Sequence, residues 1–465
     1  MSTVKPEPTS MNVVIVGAGM AGLMCALECH RNGLNVVVLE REQASNSRGD
    51  FVCIGPSVRR IVEKHWPTWL AEWEKNEWHA DISYYKETGE LIVGGFQFPR
   101  ATGRIFLRPQ LYQMMLDQAE SLGIKIHFNA KVTRFFEEKD LAGVELADGS
   151  SIWGDVVIAA DGVHSSSYKI ICEEKVVAQA SGYSVYRTSF PAEIALANPV
   201  VRERWGPDVE AGKEVFHFFI GPDCHANVLF GKDTVCWTLV HKENDQTSDE
   251  SWNARLDPED AIAEFQRICD WNPALLALVK ATPPGGVTDY RLMWRNPQPK
   301  QTSPLGRVVQ IGDACHSFFP TSANGAVQAM EDGASLAACL RIGGKENAGL
   351  STKIHALLRF ERVSCAQLMG FLQRKMLHNF TSESVAENPE RVRRGPGKWI
   401  ADHDCEQYAI DRYDEAKDHI LSGSPFVNTN LPKGYTYTPW DIEHADEDFK
   451  SGRFNEELFV SGPDE

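Results

Sequence analysis

The chain has no two cysteines spaced two residues apart, no apolar run of membrane-spanning length and no surplus of positive charge. Each absence removes a class of function. Eleven cysteines are present, but with neither metal-type Cys-x-x-Cys spacing nor a regular disulfide framework they read as the reduced thiols of an intracellular protein. A membrane helix needs roughly 20 consecutive apolar residues, and no run approaches that length. Lys and Arg number 47 against 64 Asp and Glu, a formal net charge of −17, which argues against nucleic acid or an anionic membrane surface as partner. Met1 to Ser10 is polar, contains proline and lacks a signal-peptide core, so a frayed tail and a cytoplasmic location are expected. Internal repeats and low-complexity tracts are also missing. What remains is an ordinary globular composition, 43% hydrophobic and 24% charged over 465 residues, enough for two or three structural units.

Local patterning places these units. Asn12-Val-Val-Ile-Val16 and Asn35-Val-Val-Val-Leu39 are short apolar runs of the kind buried on both faces of a sheet, separated by a helical stretch that ends at Gly33. Together they form a βαβ unit. Val156-Val-Ile-Ala-Ala160 is a further buried strand, and Arg307–Ile311 another. Residues 56–75 and 109–122 read as helices, and 80–108 as strands. From Tyr183 to about Trp294 the pattern is β-rich. Residues 350–380 and 397–423 read as long helices, with an extended stretch from Pro425. The expected division is a nucleotide-binding unit over 11–182 that resumes at 301–345, a β-rich unit over 183–300, and C-terminal helices with an extended tail over 346–465. The fold class is α/β with a Rossmann-like nucleotide-binding part.

Three motifs carry chemistry. In Gly17-Ala-Gly19-Met-Ala-Gly22 one glycine permits a tight turn, one lets a pyrophosphate approach the backbone and one allows helix to pack closely on strand. The motif follows a strand, opens a helix and is followed by Glu40 at the second strand end, where a carboxylate suits the hydroxyls of a ribose. Asp161-Gly162 ends a buried strand, either as a helix-starting turn or as part of the same site. Gly312-Asp313 ends another strand, and Asn324-Gly325-Ala326 then opens a helix whose unpaired amides suit an electron-rich ring. Asp313 suits a polyol. A nucleotide carrying both, a flavin, fits between these distant segments. Arg108 is either a surface charge or a contact to the nucleotide side. His217, His225 and His316 lack metal spacing and are expected to be structural or pocket-lining. Phe216, Phe218, Phe219, Trp237, Tyr290, Trp294, Phe318 and Phe319 are core residues for the most part, with a few expected to wall a flat apolar pocket.

The order of GAGMAG with Glu40, Asp161-Gly162 and Gly312-Asp313 resembles the single-component FAD-dependent aromatic monooxygenases related to p-hydroxybenzoate and salicylate hydroxylases, over roughly residues 11–340. The run His316 to Asp332 and the tail Ser424-Pro-Phe-Val-Asn-Thr-Asn430 are similar to a fungal branch that serves secondary metabolism and oxidises indole alkaloids and phenolic polyketides. The resemblance implies that Glu40 binds the adenosine ribose, Arg108 the FAD phosphates, Asp313 the ribityl or pyrophosphate part, and the backbone near Ala326 the isoalloxazine. It matches Arg187, in Tyr183-Ser-Val-Tyr-Arg-Thr-Ser189, to a catalytic arginine facing the flavin, although by position alone an arginine on such a strand is a rim charge. Asp50 falls in the loop that runs under the flavin in such folds, and either pairs with a basic substrate nitrogen or caps the next turn. One departure stands out. The family's Asp-Gly element ends in Arg, where this chain has Tyr168, and that bears on how the nicotinamide cofactor is met.

The activity implied is an NAD(P)H-consuming monooxygenase that places one oxygen atom of O2 on an electron-rich aromatic through a flavin C4a-hydroperoxide. NADPH or NADH binds transiently, since no second Rossmann fingerprint is present, and no resident metal is expected. The aromatics and Asp50 lean towards an indole alkaloid, oxidised at the 2,3 double bond. The alternative is a phenolic polyketide, with Arg187 or Tyr186 helping the phenol lose its proton. A flavin halogenase shares the fold, but its Trp-x-Trp-x-Ile-Pro signature is absent; a non-catalytic flavin binder, with the C-terminal helices as partner surface, is the remaining reading. A monomer or a homodimer is expected.

Overall fold

The computed structural model describes residues 11–43, 49–97, 103–172, 177–243, 254–319, 322–379, 381–388 and 395–461. The expected tail before Met11, and Pro320 in the loop ahead of Asn324, lie outside these residues. At the centre is a five-stranded parallel sheet in the order Val308–Gln310, Val156–Ala159, Asn12–Val16, Asn35–Leu39, Lys125–His127. Its strands are runs of valine because both faces are covered. Val13, Ile15 and Ile158 point into the helices. Val14, Val16 and Val157 point into a core shared with a small antiparallel sheet of residues 132–154.

The return segment docks directly on the first helix. Met20–Arg31 crosses Gly325–Gly343 so closely that a Cβ on Gly333 would lie 2.7 Å from the Cys25 nitrogen. Helix Gly325–Gly343 is then tied to the long helix Ala348–Asn379 by a buried ionic network. Arg359 Nε donates to Asp332 Oδ1 at 2.8 Å and its Nη1 to Glu331 Oε2 at 2.7 Å, while Arg362 Nε donates to Glu331 Oε2 at 3.0 Å. Each charge has its counter-charge and further hydrogen bonds, the condition under which buried ions are tolerated.

An eight-stranded sheet stands over this nucleotide-binding layer, in the order Arg255–Leu256, Val287–Trp294, Gln179–Pro191, Thr234–Lys242, Cys224–Phe230, Val215–Gly221, Asp81–Lys86, Leu91–Phe96. Its last two strands come from within residues 11–182, so the sheet is not confined to the β-rich stretch that starts at 183. Asp81–Lys86 pairs in parallel with Val215–Gly221; such a pairing needs a long crossover and leaves no local sequence signal. The outer face of the sheet is sealed by helices Ala192–Leu196, Pro199–Glu210, Pro258–Ile268 and Pro273–Lys280. Three of these, at 192, 199 and 273, were not anticipated from periodicity, although the last two each carry a start signal. Asn198 and Asn272 accept from the backbone N–H two residues on, with proline at the first helical position. Proline also splits the helix expected over 56–75 into Pro56–His65 and Pro67–Asn76. The extended C-terminal stretch ends in a further short helix, Ile442–Lys450, capped by Asp441. All eleven cysteines are free thiols.

Candidate active site

The three glycines of the first turn do different work. Gly17 has φ +101°, and a Cβ there would fall 2.4 Å from the Ala160 carbonyl oxygen. A Cβ on Gly22 would lie 1.9 Å from the Gly17 oxygen. Around Gly19, by contrast, no described residue beyond its immediate chain neighbours comes within 4 Å of the position a Cβ would take. Two glycines therefore serve the fold, and the middle one keeps a backbone approach open. Glu40 closes the turn from the neighbouring strand end: its Oε2 accepts from Ala18 N–H at 2.7 Å and its Oε1 from Glu42 N–H at 2.9 Å. Each carboxylate oxygen retains acceptor capacity for a ligand hydroxyl.

The other two motifs converge on the same place. Asp161 adjoins Gly17, its Cα 3.0 Å from where a Gly17 Cβ would be, and its buried Oδ1 has no hydrogen-bond partner. Gly312 is seated on the first helix, with a would-be Cβ 2.8 Å from the Ala21 methyl, so Asp313 stands exposed beside the glycine turn. The Gly312 N–H is held by Asp332 Oδ2 at 3.0 Å, the same oxygen that meets His316 Nε2 at 2.5 Å. Burial opposes charge on His316, but Cys315 and Asp332 outweigh it and hold its pKa well above the ordinary range. Cys315, His316 and Asp332 bring donor atoms within 4.8 Å of one another. With Arg359 on the remaining Asp332 oxygen, the arrangement is an ion-pair network anchoring the turn rather than a metal ligand set.

Helix Gly325–Gly343 begins at Asn324 without a side-chain cap and without an acid in its first turn. The Asn324 amide instead donates to Ser322 O at 2.6 Å, leaving the positive end of the helix for an electron-rich group. An open backbone at Gly19, an orphaned carboxylate oxygen at Asp161 and an uncapped helix start are what a bound dinucleotide requires, so the residues present fit FAD.

Beside this cradle, Asp50 and Arg187 meet across 137 positions of sequence. Arg187 Nε donates to Asp50 Oδ2 at 2.9 Å and its Nη2 to Oδ1, with Asp50 only 1% exposed. Arg108 completes the group. Its N–H donates to the Asp50 carbonyl at 2.9 Å, and its side chain lies under Gly49, whose φ of +126° brings the backbone within reach of Arg108 Cδ. Burial and the neighbouring Arg187 push the Arg108 pKa down, against the pull of Asp50 and Asp313. Arg187 is therefore no rim charge. Asp50 is engaged through both carboxylate oxygens.

Comparisons with known proteins decide the family. Two family profiles, each described as an FAD binding domain, match residues 12–90 and 75–352. The FAD-dependent monooxygenase dmxR9 of Cryptosporiopsis sp. (strain 8999) is 39% identical over 97% of this chain and 90% of its own. The chain belongs to the FAD-dependent monooxygenases. It falls in their fungal secondary-metabolism branch, alongside fsr3 of Gibberella fujikuroi at 38% identity over 97% of this chain and 89% of that one. Among solved structures, CtdE in complex with FAD and a substrate is 30% identical with a TM-score of 0.81, covering 88% of this chain and all of that one. FqzB is 27% identical with a TM-score of 0.83, covering 94% of this chain and 100% of that one. FAD is thus the cofactor of this monooxygenase, with NAD(P)H as reductant.

Strand periodicity sorts the remaining candidates in the monooxygenase. Arg187 shares a face with Val185 and Tyr183 and with their cross-strand partners Thr238, Val240 and Tyr290. Continued across the sheet, this face carries His225, Asn227, Phe216, Phe218 and Tyr84. Tyr186 points the other way. It packs edge-on to His241 with ring centroids 4.5 Å apart, in the core sealed by the outer helices, so it does not assist a substrate beside Arg187. Phe219, Trp237 and His217 are likewise on the sealed face, where Trp205 Nε1 donates to His217 Nδ1 at 3.0 Å. Burial, helped by Arg204, pushes the His217 pKa down to about 3. His225, on the face that carries Arg187, is pushed down to about 4 by burial, and the buried Asn227 Oδ1 beside it has no partner among the described residues. Asn227 drew no attention in the sequence. Tyr168 opens the four-residue helix Tyr168–Ile171 and is half-buried. Among the described residues no helix is long and apolar enough to cross a membrane.

Asp161 gives the apoprotein a pH signature. Burial pushes its carboxyl from 3.8 up to about 6, with the Ser165 hydrogen bond working the other way. Below 3.8 the folded and unfolded chains both hold the proton, so burial carries no penalty. Between 3.8 and about 6 only the unfolded chain has released it, so stability falls as pH rises through that window and then levels off. Asp161→Asn is expected to remove this fall, read as unfolding midpoints of the FAD-free protein across the window; an unchanged slope would assign the pH dependence elsewhere.

Proposed function

We propose that this monooxygenase hydroxylates a flat phenolic aromatic, held as its phenolate at Arg187. The observation that carries the reading is the buried Asp50–Arg187 pair beside the cradle. Arg187 engages both oxygens of Asp50, while Arg108 feels both Asp50 and Asp313. The acid on which an indole-alkaloid reading leans is thereby taken up internally. Such a site favours an anionic oxygen over a protonated amine.

In this reading the Gly17–Gly22 turn and its helix hold the pyrophosphate, and Glu40 the adenosine ribose. Arg108 lies towards the phosphates, Asp161 and Asp313 hold the polar chain between them, and the amides of Gly325 and Ala326 face the ring. Bound FAD, reduced by NAD(P)H, supplies the two electrons and the electrophilic oxygen drawn from O2. The chain supplies placement. Asp50 engages Nε and Nη2 of Arg187, which fixes the guanidinium plane as the positive group beside the substrate's oxygen. Stabilising the phenolate raises electron density on the adjacent ring carbon that receives the oxygen. Phe218 stacks on Tyr84 and lies tilted against Phe216, with centroids 4.6 Å apart in both cases, and the three form an apolar aromatic patch on the same sheet face. Such a patch favours a flat ligand and limits water.

The test is NADPH consumption and product mass across matched phenols and indoles. Phenols or naphthols that gain one oxygen atom at a ring carbon support the reading. Oxygenated indoles, with phenols only driving unproductive NADPH oxidation, would return the indole alternative.

A further inference from the structure

Asn227 stands in a row of side chains that crosses the large sheet through Arg187. Strand pairing places the row position by position: Tyr84, Phe218, Asn227, Thr238, Arg187. Residues directly opposed in this way share one face of the sheet. The row begins as a stack of rings. Phe96 lies on Tyr84 with centroids 6.2 Å apart and planes within 11°, and Tyr84 on Phe218 at 4.6 Å and 13°. At Asn227 the stack stops. Asn227 and Thr238 are short side chains, and Arg187 follows them three strand spacings beyond Phe218, about 14 Å across the sheet.

The face is also open along this row. On one side of it Phe216, Leu229 and Cys236 are buried, and on the other Ile220, His225 and Val240, all at 4% exposure or less. Between these closed rows Phe218 and Asn227 are only half-buried, and Arg187 keeps 13% of its side chain exposed. The strands of Phe218 and Asn227 lie inside the sheet, not at its edge. Their exposure therefore marks a recess in the face, with Phe218 on one side, Arg187 on the other, and Asn227 and Thr238 as its floor. The floor holds an unsatisfied acceptor. Asn227 Nδ2 donates to Thr238 Oγ1 at 3.2 Å, while Oδ1 is shut off from solvent and has no hydrogen-bond partner among the described residues. A buried acceptor without a partner opposes folding, and an apolar residue of the same shape would avoid that cost. The terminal torsion of an asparagine is broad, so the oxygen can turn to a donor that enters the recess.

We propose that Asn227 is a specificity-determining residue whose Oδ1 accepts a hydrogen bond from a second hydroxyl of the substrate, making that substrate a polyhydroxylated aromatic. The proposal rests on the phenolic reading and names its substrate class more closely. Arg187 suits the oxygen that carries negative charge, and the neutral amide oxygen suits one that keeps its proton. A ring stacked on Phe218 alone is free to slide and turn. Two unlike polar contacts on one side of it leave a single orientation, and with it a single carbon presented for oxidation. An analogue without the second hydroxyl leaves the Asn227 oxygen unpaired and is discriminated against for that reason.

The experiment uses the FAD-loaded enzyme with a dihydroxynaphthalene that has one hydroxyl on each ring, and with the naphthol that lacks the second hydroxyl. Binding is read from naphthol fluorescence. The diol is expected to bind about ten-fold more tightly, the scale of one hydrogen bond to a buried acceptor. Asn227→Leu is expected to erase that preference by weakening the diol alone, with naphthol affinity and bound FAD retained. Because it replaces an unpaired acceptor, the same variant is expected to keep or raise the unfolding midpoint. Equal binding of diol and naphthol by the unaltered enzyme, absence of binding by either, or an undiminished preference in Asn227→Leu would overturn the proposal. Loss of FAD in Asn227→Leu would make the oxygen a cofactor contact, and a lowered midpoint with both ligands weakened alike would make it structural; either result also overturns it. Should Asn227→Leu not fold, Asn227→Ala is measured in its place against the same ratio. Diol preference without ring-hydroxylated product would leave the Asn227 contact standing and sink the phenolic reading, and turnover of both compounds without preference would do the reverse.

Discussion

Arg187→Gln is expected to give a protein that keeps its FAD and loses hydroxylated product by about 100- to 1,000-fold, the usual scale for removing one preorganised charge-stabilising donor. The argument follows from the pair it breaks. Asp50 is 1% exposed, and both its oxygens are engaged by Arg187. A glutamine can donate one N–H to that carboxylate but brings no charge to a phenolate. Arg187→Lys keeps the charge and loses the two-pronged grip, so it is expected to recover little. The measurement is product formed per NADPH consumed, with flavin content read in parallel. Unchanged product would remove Arg187 from the chemistry. Asp50→Asn serves as the companion: turnover is expected to fall more than FAD content, and an equal fall in both would make Asp50 a purely structural partner. Breaking one side of a buried ion pair typically costs about 3–5 kcal/mol, so each variant also needs its unfolding midpoint measured before a kinetic loss is interpreted.

The second large effect separates two glycines three residues apart. Gly22→Ala would drive a methyl to 1.9 Å from the Gly17 oxygen, and backbone cannot yield there without opening the turn. Loss of FAD together with a lowered unfolding midpoint is expected. Gly19→Ala meets no described residue beyond its chain neighbours within 4 Å, so the FAD-free protein is expected to keep its stability. The added methyl would instead stand where a pyrophosphate must approach, and FAD affinity is expected to drop by about ten-fold or more, the equivalent of one lost hydrogen bond to a charged group. Titration of FAD into both apoproteins, beside their melting curves, tests the contrast. Equal melting losses in the two variants, or full FAD affinity in Gly19→Ala, would contradict it.

Much of the cradle was legible before any coordinates. The strand-turn-helix around Gly17, the acid at the end of the next strand, and the two later strand ends at Asp161 and Asp313 each depend on neighbours within a few residues. Alternation is informative here too: Tyr186 and Arg187 are adjacent on a strand and face opposite ways, so they are not interchangeable as groups helping a phenol lose its proton. The caps at Asn198 and Asn272 were readable too, and would have revealed the helices that seal the outer face.

Other features were out of reach of the sequence. Nothing local tells that Asp81–Lys86 leaves the nucleotide-binding layer to pair in parallel with Val215–Gly221. Nothing local shows which face of that sheet meets the cofactor, and so which of Phe216, Phe218, Phe219 and Trp237 wall the site. The sequence alone determined the ligand class, because phosphate- and ribose-binding turns are built from contiguous residues whose backbone freedom and charge are written in their types. Only the tertiary structure decided which distant residues meet beside the cradle. The Asp50–Arg187 pair spans 137 positions, and Arg359 reaches Asp332 from a separate helix. Such contacts exist only once separate segments have packed, and their geometry is set by the space those segments leave.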